Sequence, residues 1–207
     1  WSHEGEQETD KVSYLVACDG AHSTVRHALG VSFSGHDYPT DLISADVQVD
    51  WKLPRDEQIS FFAAEGMLTF FPLAGGRAEI VADIGPAQED HTPPGALALE
   101  DLQALFNART PGGVLSDVIW SVRYRVHSRQ AERYQVGRVF LVGDAAHICS
   151  NIGGQGMNTG IQDAYNLGWK LGLVLNARSP ASLLDSYSPE RHQAGRDMLC
   201  LSDYLHR

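Results

Sequence analysis

The apolar and polar positions change rhythm several times along the chain. Residues 14–18 (YLVAC) form a short apolar run closed by Asp19-Gly20, after which Ser23 can cap a helix reaching Leu29, with Gly30 at its stop. Over residues 43–51 the alternation is strict. Ala45, Val47, Val49 and Trp51 share one face, and Ser44, Asp46, Gln48 and Asp50 the other, as in a half-exposed strand. Residues 67–73 and 77–84 read as two further strands joined by Ala74-Gly75-Gly76, a connection of hairpin length. Pro93-Pro94-Gly95 breaks the chain. Leu99, Leu102, Leu105 and Phe106 then recur at helical spacing until Thr110-Pro111-Gly112-Gly113. Trp120, Val122, Tyr124 and Val126 alternate with Ser121, Arg123 and Arg125, which returns the chain to strand. Residues 139–142 are continuously apolar, the pattern of a strand covered on both faces. Past a glycine-rich stretch, Ile161, Ala164, Tyr165, Gly168, Leu171, Gly172 and Leu175 mark one face of a long helix, and residues 159–162 (TGIQ) match a capping box.

These elements predict an α/β fold, α+β in part. Residues 1–35 and 136–207 make one domain, and residues 36–135 are an inserted, mostly antiparallel sheet. A chain of 207 residues with 43% hydrophobic and 20% charged residues has the material for a folded core. Its 16 Lys and Arg against 26 Asp and Glu give a net charge of -10, which repels polyanions, so nucleic acid is an unsuitable partner. Cys18, Cys149 and Cys200 are scattered and form no CxxC pair, so neither a disulfide framework nor a metal site is expected, and a reducing cytoplasm suits them. No apolar stretch approaches the roughly 20 residues of a membrane span. The polar start WSHEGEQETDKV lacks the order of a signal peptide.

The candidate chemistry lies where strands end. Gly143 and Asp144 follow a buried strand directly, at the edge where open α/β sheets bind ligands. The carboxylate can accept bonds from ribose or ribityl hydroxyls, or serve as a turn aspartate bonded to nearby backbone. Gly153, Gly154 and Gly156 precede the long helix, where bare N–H groups can cradle an anion or a carbonyl oxygen, or simply turn the chain. They form no GxGxxG, since the next glycine is Gly160, and they lack the lysine of a P-loop. In CDGAHSTVR, Asp19 and Gly20 turn the chain and Arg26 lies one turn into a helix, placed to reach a phosphate or an acidic partner, or else a surface arginine. Asp19, His22 and Ser23 are too close in sequence to align as a hydrolase triad, and no GxSxG elbow exists. His147 and Cys149 alone make no metal site and read as satisfied loop residues.

Taken together, YLVACDGAHSTVR resembles the "DG" motif, and GRVFLVGDAAHICSNIGGQGMNTGIQDAYNLGWKL the "GD" motif, of the class A FAD-dependent aromatic hydroxylases, the para-hydroxybenzoate and phenol hydroxylase-like flavoprotein monooxygenases. SYSPERH (residues 186–192) and FFPLAGGR (residues 70–77) resemble the segment after the GD helix and the substrate-domain hairpin. The resemblance implies that Asp144, beside Gly143, holds the ribityl or pyrophosphate region of FAD. It places the backbone of Gly153, Gly154, Gly156, Met157 and Asn158 against the isoalloxazine ring. Asp19, Gly20 and Arg26 would support FAD and the NAD(P)H reductant. It names no catalytic side chain. Its reaction transfers oxygen to an aromatic or polyketide substrate through a flavin C4a-hydroperoxide.

Two departures stand out. Ser150 and Asn151 occupy positions where proline is common, and the family's GxGxxG unit, whose strand lies centrally in the sheet, is absent from these residues. The expectation is therefore a fragment or truncated form that binds FAD weakly or not at all until an N-terminal segment, a partner chain or a homo-oligomer completes it. The rival expectations are a non-enzymatic remnant acting as a binding or assembly module, and a related flavin epoxidase or antibiotic-inactivating oxygenase.

Overall fold

A computed structural model of the chain describes residues 2–3, 6–7, 9–86, 97–151 and 154–206. The chain divides into two compact units, Trp1–His36 with His127–Arg207, and Asp37–Val126.

In the first unit, β1 (Ser2–His3) and β2 (Glu6–Gln7) form a short antiparallel ladder. A three-stranded sheet follows, in which β3 (Leu15–Ala17) runs parallel to β10 (Val139–Leu141), with β9 (Gln135–Val136) antiparallel on β10's other side. Phe140 and Leu141 are fully buried, as their unbroken apolar run requires. They pack with Ala17, Val31, Ala131, Tyr134, Ala145, Leu167 and Tyr187. Helix α1 (Thr24–Ala28) opens as expected: the Ser23 hydroxyl accepts the Arg26 amide at 3.0 Å, and Gly30 stands just past the end at φ +62°.

Helix α3 (Gln155–Leu175) corrects two expectations. It begins four residues before the capping-box motif, with Gly154 as its N-cap, and Thr159 lies inside the helix bonding back to the Gln155 carbonyl at 2.9 Å. The left-handed φ of +61° at Gly154 makes the earlier start possible. Leu171 apart, which packs against the core, the apolar stripe does not face it either. Ile161, Tyr165 and Leu175 are 59%, 78% and 61% exposed, and Ala164, Gly168 and Gly172 are exposed with them. The inner face carries Thr159, Asp163, Leu167 and Lys170. Polar groups can occupy it because helix α4 (Tyr187–His206) supplies counter-charges: Arg191 pairs with Asp163 at 2.6 Å and Glu190 with Lys170 at 2.7 Å. Among the described residues, no helix is long and apolar enough to cross a membrane.

The second unit is antiparallel. Residues 37–50 of β4 (Phe33–Asp50), then β7 (Arg77–Pro86), β6 (Gly66–Pro72) and β5 (Ile59–Ala63) lie side by side, and α2 (Leu99–Arg109) closes their apolar face. Ala45, Val47, Val49 and Trp51 point into the core as the alternation predicts, and Trp51 packs on Phe70 with ring centroids 4.3 Å apart. Arg109, at the end of α2, donates to the carbonyls of Met67, Asp83 and Glu65 and fixes the helix against the β6–β7 hairpin. The strand expected at residues 120–126 is part of β8 (Val114–Ala131), whose Trp120 and Val122 are exposed while Val126 is buried.

Candidate functional site

The register of β3 on β10 sets Leu15 opposite Val139 and Ala17 opposite Leu141, and the Val142 amide donates to the Ala17 carbonyl at 3.0 Å. The two loops carrying Asp19-Gly20 and Gly143-Asp144 therefore leave the sheet side by side, at the carboxyl ends of parallel strands.

On the β3 side, Gly20 turns the chain at φ +81°, and its carbonyl accepts the Ser23 amide at 3.0 Å. Asp19 is exposed and accepts the Val25 amide at 3.1 Å, so it caps α1 together with Ser23. Burial pushes its carboxyl up, but hydrogen bonds from the Ser23 hydroxyl and the Val25 and Thr24 amides outweigh it and hold the group below its ordinary value. Arg26 is only 2% exposed, so it is not a surface arginine. Its Nη1 donates to the Ala145 carbonyl at 3.0 Å and its Nη2 to the Ala21 carbonyl at 2.7 Å, with the guanidinium 3.8 Å from the centre of the Phe33 ring. It ties the DG loop to the turn after β10.

On the β10 side, Gly143 takes φ +60° to enter a tight turn over Gly143–Ala145. Asp144, at the middle of that turn, is exposed, and no hydrogen bond to another described residue holds its carboxylate. The turn itself is held firmly. The Gly143 amide donates to Asp163 Oδ2 at 3.2 Å, the Ala146 carbonyl accepts the Ala131 amide at 2.8 Å, and His147 is buried with Nε2 2.7 Å from Asp163 Oδ2. His147 is thus bonded at its Nε2, whereas its buried Nδ1 has no partner among the described residues, so the expected satisfied residue is only half satisfied. Among the described residues, no His, Cys, Asp and Glu group is placed to hold a metal ion.

Past this turn, Gly154 starts α3 without a hydrogen bond to a capping side chain. Gly156 lies against Cys149, to which an added Cβ would come within 3.5 Å of Sγ. Met157 is 75% exposed, and Asn158, also exposed, donates to the Gly154 carbonyl at 3.3 Å. Gly153 lies outside the described residues. The structure thus gathers Asp19, Gly20, Arg26, Gly143 and Asp144 around two adjacent loops, with Gly154, Gly156, Met157 and Asn158 in the helix start that follows.

Asp163 and Arg191 escaped the sequence reading. The available signal was an acid in a helix that shares its inner face with Leu167, one turn on, yet hydropathy counts such a position as solvent-facing.

The family model described as "FAD binding domain" matches residues 2–202. A flavin-dependent monooxygenase of Mycobacteroides abscessus is 41% identical over 99% of this chain and 43% of its own length. A rifampicin monooxygenase of Streptomyces venezuelae is 39% identical over 95% of this chain and 41% of its own. The solved structure of the flavin-dependent monooxygenase PieE in complex with FAD and substrate superposes with a TM-score of 0.75 at 26% identity, over 92% of this chain and 34% of PieE. The chain spans about two fifths of the length of these curated relatives. With a family model matched over nearly its whole length, this chain belongs to the FAD-binding domain family of flavin-dependent monooxygenases.

Proposed function

We propose that the chain forms part of an FAD- and NAD(P)H-dependent monooxygenase that hydroxylates a small aromatic or polyketide compound. The observation that carries this reading is Asp144: an exposed carboxylate with no bond to another described residue, presented by a rigid turn at the carboxyl end of a parallel strand.

The residues present fit FAD. The donors and acceptors expected at a flavin tail are an acceptor for ribityl hydroxyls and bare amides for its polar edge, and Asp144 and the uncapped first turn of α3 supply them. Backbone stays close throughout. A Cβ on Gly160 would lie 3.2 Å from the Gly143 Cα, so α3 sits this near the turn because Gly160 is bare. Asp144 would hold the ribityl or pyrophosphate region, and the backbone from Gly154 to Asn158 would face the ring. Asp19 and Gly20 would shape the neighbouring loop, and Arg26 would keep the two loops together. When bound, FAD supplies the electron transfer and oxygen activation, while the chain binds, orients and shields. Partial positive charge at the α3 N-terminus would favour the electron-rich reduced ring.

The rifampicin monooxygenase among the relatives supports a second substrate class, an antibiotic inactivated by oxygenation. A third reading, a remnant that binds without catalysis, shares the same site.

The test is a flavin titration of the chain completed by a GxGxxG-bearing N-terminal unit, and of Asp144→Ala in the same protein. Loss of the carboxylate should weaken FAD binding about tenfold or more, the equivalent of ~1.4 kcal/mol. Equal affinity refutes the assignment. Oxidation of NAD(P)H stimulated by a phenolic or polyketide compound, with a product heavier by one oxygen atom, separates the enzyme from the remnant.

A further inference from the structure

We propose that Asp163 is a positioning residue for the turn that presents Asp144, acting through the Gly143 amide and His147. The Asp163 carboxylate is 0% exposed. Its Oδ2 accepts the Gly143 amide at 3.2 Å and His147 Nε2 at 2.7 Å, and its Oδ1 accepts Arg191 Nε at 2.6 Å. Arg191 is itself anchored, its Nη2 reaching the Thr159 carbonyl at 3.3 Å. Gly143 precedes Asp144 directly and His147 follows three residues later, so one buried carboxylate grips the turn on both sides of the exposed one.

A buried carboxylate is tolerated only where charge and hydrogen bonds compensate for lost water. Arg191 supplies the charge, and the other two donors belong to the turn itself. The turn therefore cannot move without uncovering Asp163. Among the described residues His147 Nδ1 is buried with no partner, which assigns the ring proton to Nε2, where Asp163 accepts it; a proton on Nδ1 would face no acceptor there. From the opposite side the Arg26 guanidinium holds the Ala145 carbonyl. Asp144 thus sits between two buried braces, and no hydrogen bond to a described residue commits its own side chain.

Mere helix packing is the competing role, and Lys170 provides its control. Lys170 lies on the same face of α3, bonds Ser186 Oγ and Glu190 Oε2 at 2.7 Å, and makes no hydrogen bond to the turn. The consequence for flavin binding rests on the reading of Asp144 given above, whereas the grip on the turn is measurable without flavin.

The experiment is amide hydrogen exchange by NMR on the flavin-free chain. The probe is Gly143, and the internal reference is Leu141, whose amide donates to the Tyr134 carbonyl. In Asp163→Ala, Gly143 exchange should rise about tenfold relative to Leu141, because the methyl group offers the Gly143 amide no acceptor. In Lys170→Met both amides should shift together. An unchanged ratio in folded Asp163→Ala, or the same ratio change in Lys170→Met, overturns the proposal. If Asp163→Ala does not fold, the unmodified chain decides: a Gly143 amide exchanging as fast as an unbonded loop amide refutes the grip, and one as slow as Leu141 supports it. FAD affinity should fall in Asp163→Ala as it does in Asp144→Ala. Should Asp144→Ala bind FAD normally while Asp163→Ala still releases Gly143, the flavin reading fails and the positioning role stands.

Discussion

Glycines of one helix can have opposite reasons to exist, and α3 contains both kinds. At Gly160 an added Cβ would lie 3.2 Å from the Gly143 Cα, a backbone atom with nowhere to retreat because Asp163 holds the Gly143 amide. At Gly168 the same addition meets nothing within 4 Å. Gly160→Ala should therefore force α3 and the turn apart and cost about 1–3 kcal/mol, as overpacking does. Gly168→Ala relieves only the entropic penalty of glycine in a helix and should stabilise by roughly 0.5–1 kcal/mol. Urea midpoints at constant slope measure both. If the two substitutions move the midpoint in the same direction, the close approach of turn and helix is wrong. The sequence shows five glycines around the turn but cannot say which of them touch. That distinction needs the partner backbone, seventeen residues away for this pair.

At the level of elements, the sequence located α3 and mistook its faces. Ile161, Tyr165 and Leu175 form an apolar series that periodicity turns inward by default, yet it is Leu167, Leu171 and Val174 that pack against the core. The inner face is instead set by charges on α4, which lies far enough along the chain that no local pattern reports it. Elsewhere the same limit acts on strands. The start of β4, residues 33–42, carries Gly35, His36, Asp37 and Pro39 and has no readable alternation, and β5 is only five residues long. Strands whose alternation was clean, such as residues 43–50, were legible because one face enters the apolar core while the other carries polar side chains, from buried Ser44 to exposed Asp50. The α3–α4 pairing also fixes a pH response. Hydrogen bonds from Lys170 and Asn166 hold the Glu190 carboxyl at about 2, well below its ordinary value, despite some opposing burial. A carboxyl depressed in the folded state adds stability that is complete above its unfolded pKa and lost as pH falls toward the folded one. Stability should therefore decline between roughly pH 5 and 2 with a contribution that Glu190→Gln removes. Because the Glu190 side chain is 48% exposed, solvent screens the pair and salt should shrink the difference. A pH series of urea midpoints in which the two chains decline in parallel would exclude the effect.

The whole molecule carries a conflict between charge and apolar surface. A net charge of -10 keeps copies apart, yet α3 exposes Met157, Ile161, Tyr165 and Trp169, and β3 exposes Leu15 and Val16 within the same unit. Solvent-exposed charges are screened within about 10 Å at 0.1 M salt, whereas apolar attraction is not weakened by salt. The chain should consequently associate more as ionic strength rises, and it should bind a hydrophobic dye at low salt. Ile161→Lys with Tyr165→Lys separates the two forces. The pair makes the net charge less negative, so charge alone predicts more association; removal of the apolar stripe predicts less. Both positions are more than half exposed, so the thermal midpoint should hardly move. Sedimentation velocity across a salt series decides the matter. Association that persists or grows in the double variant would show that the outward face of α3 is not the sticky surface, and the inversion of that helix relative to its periodicity would then have no bearing on how the chain behaves in solution.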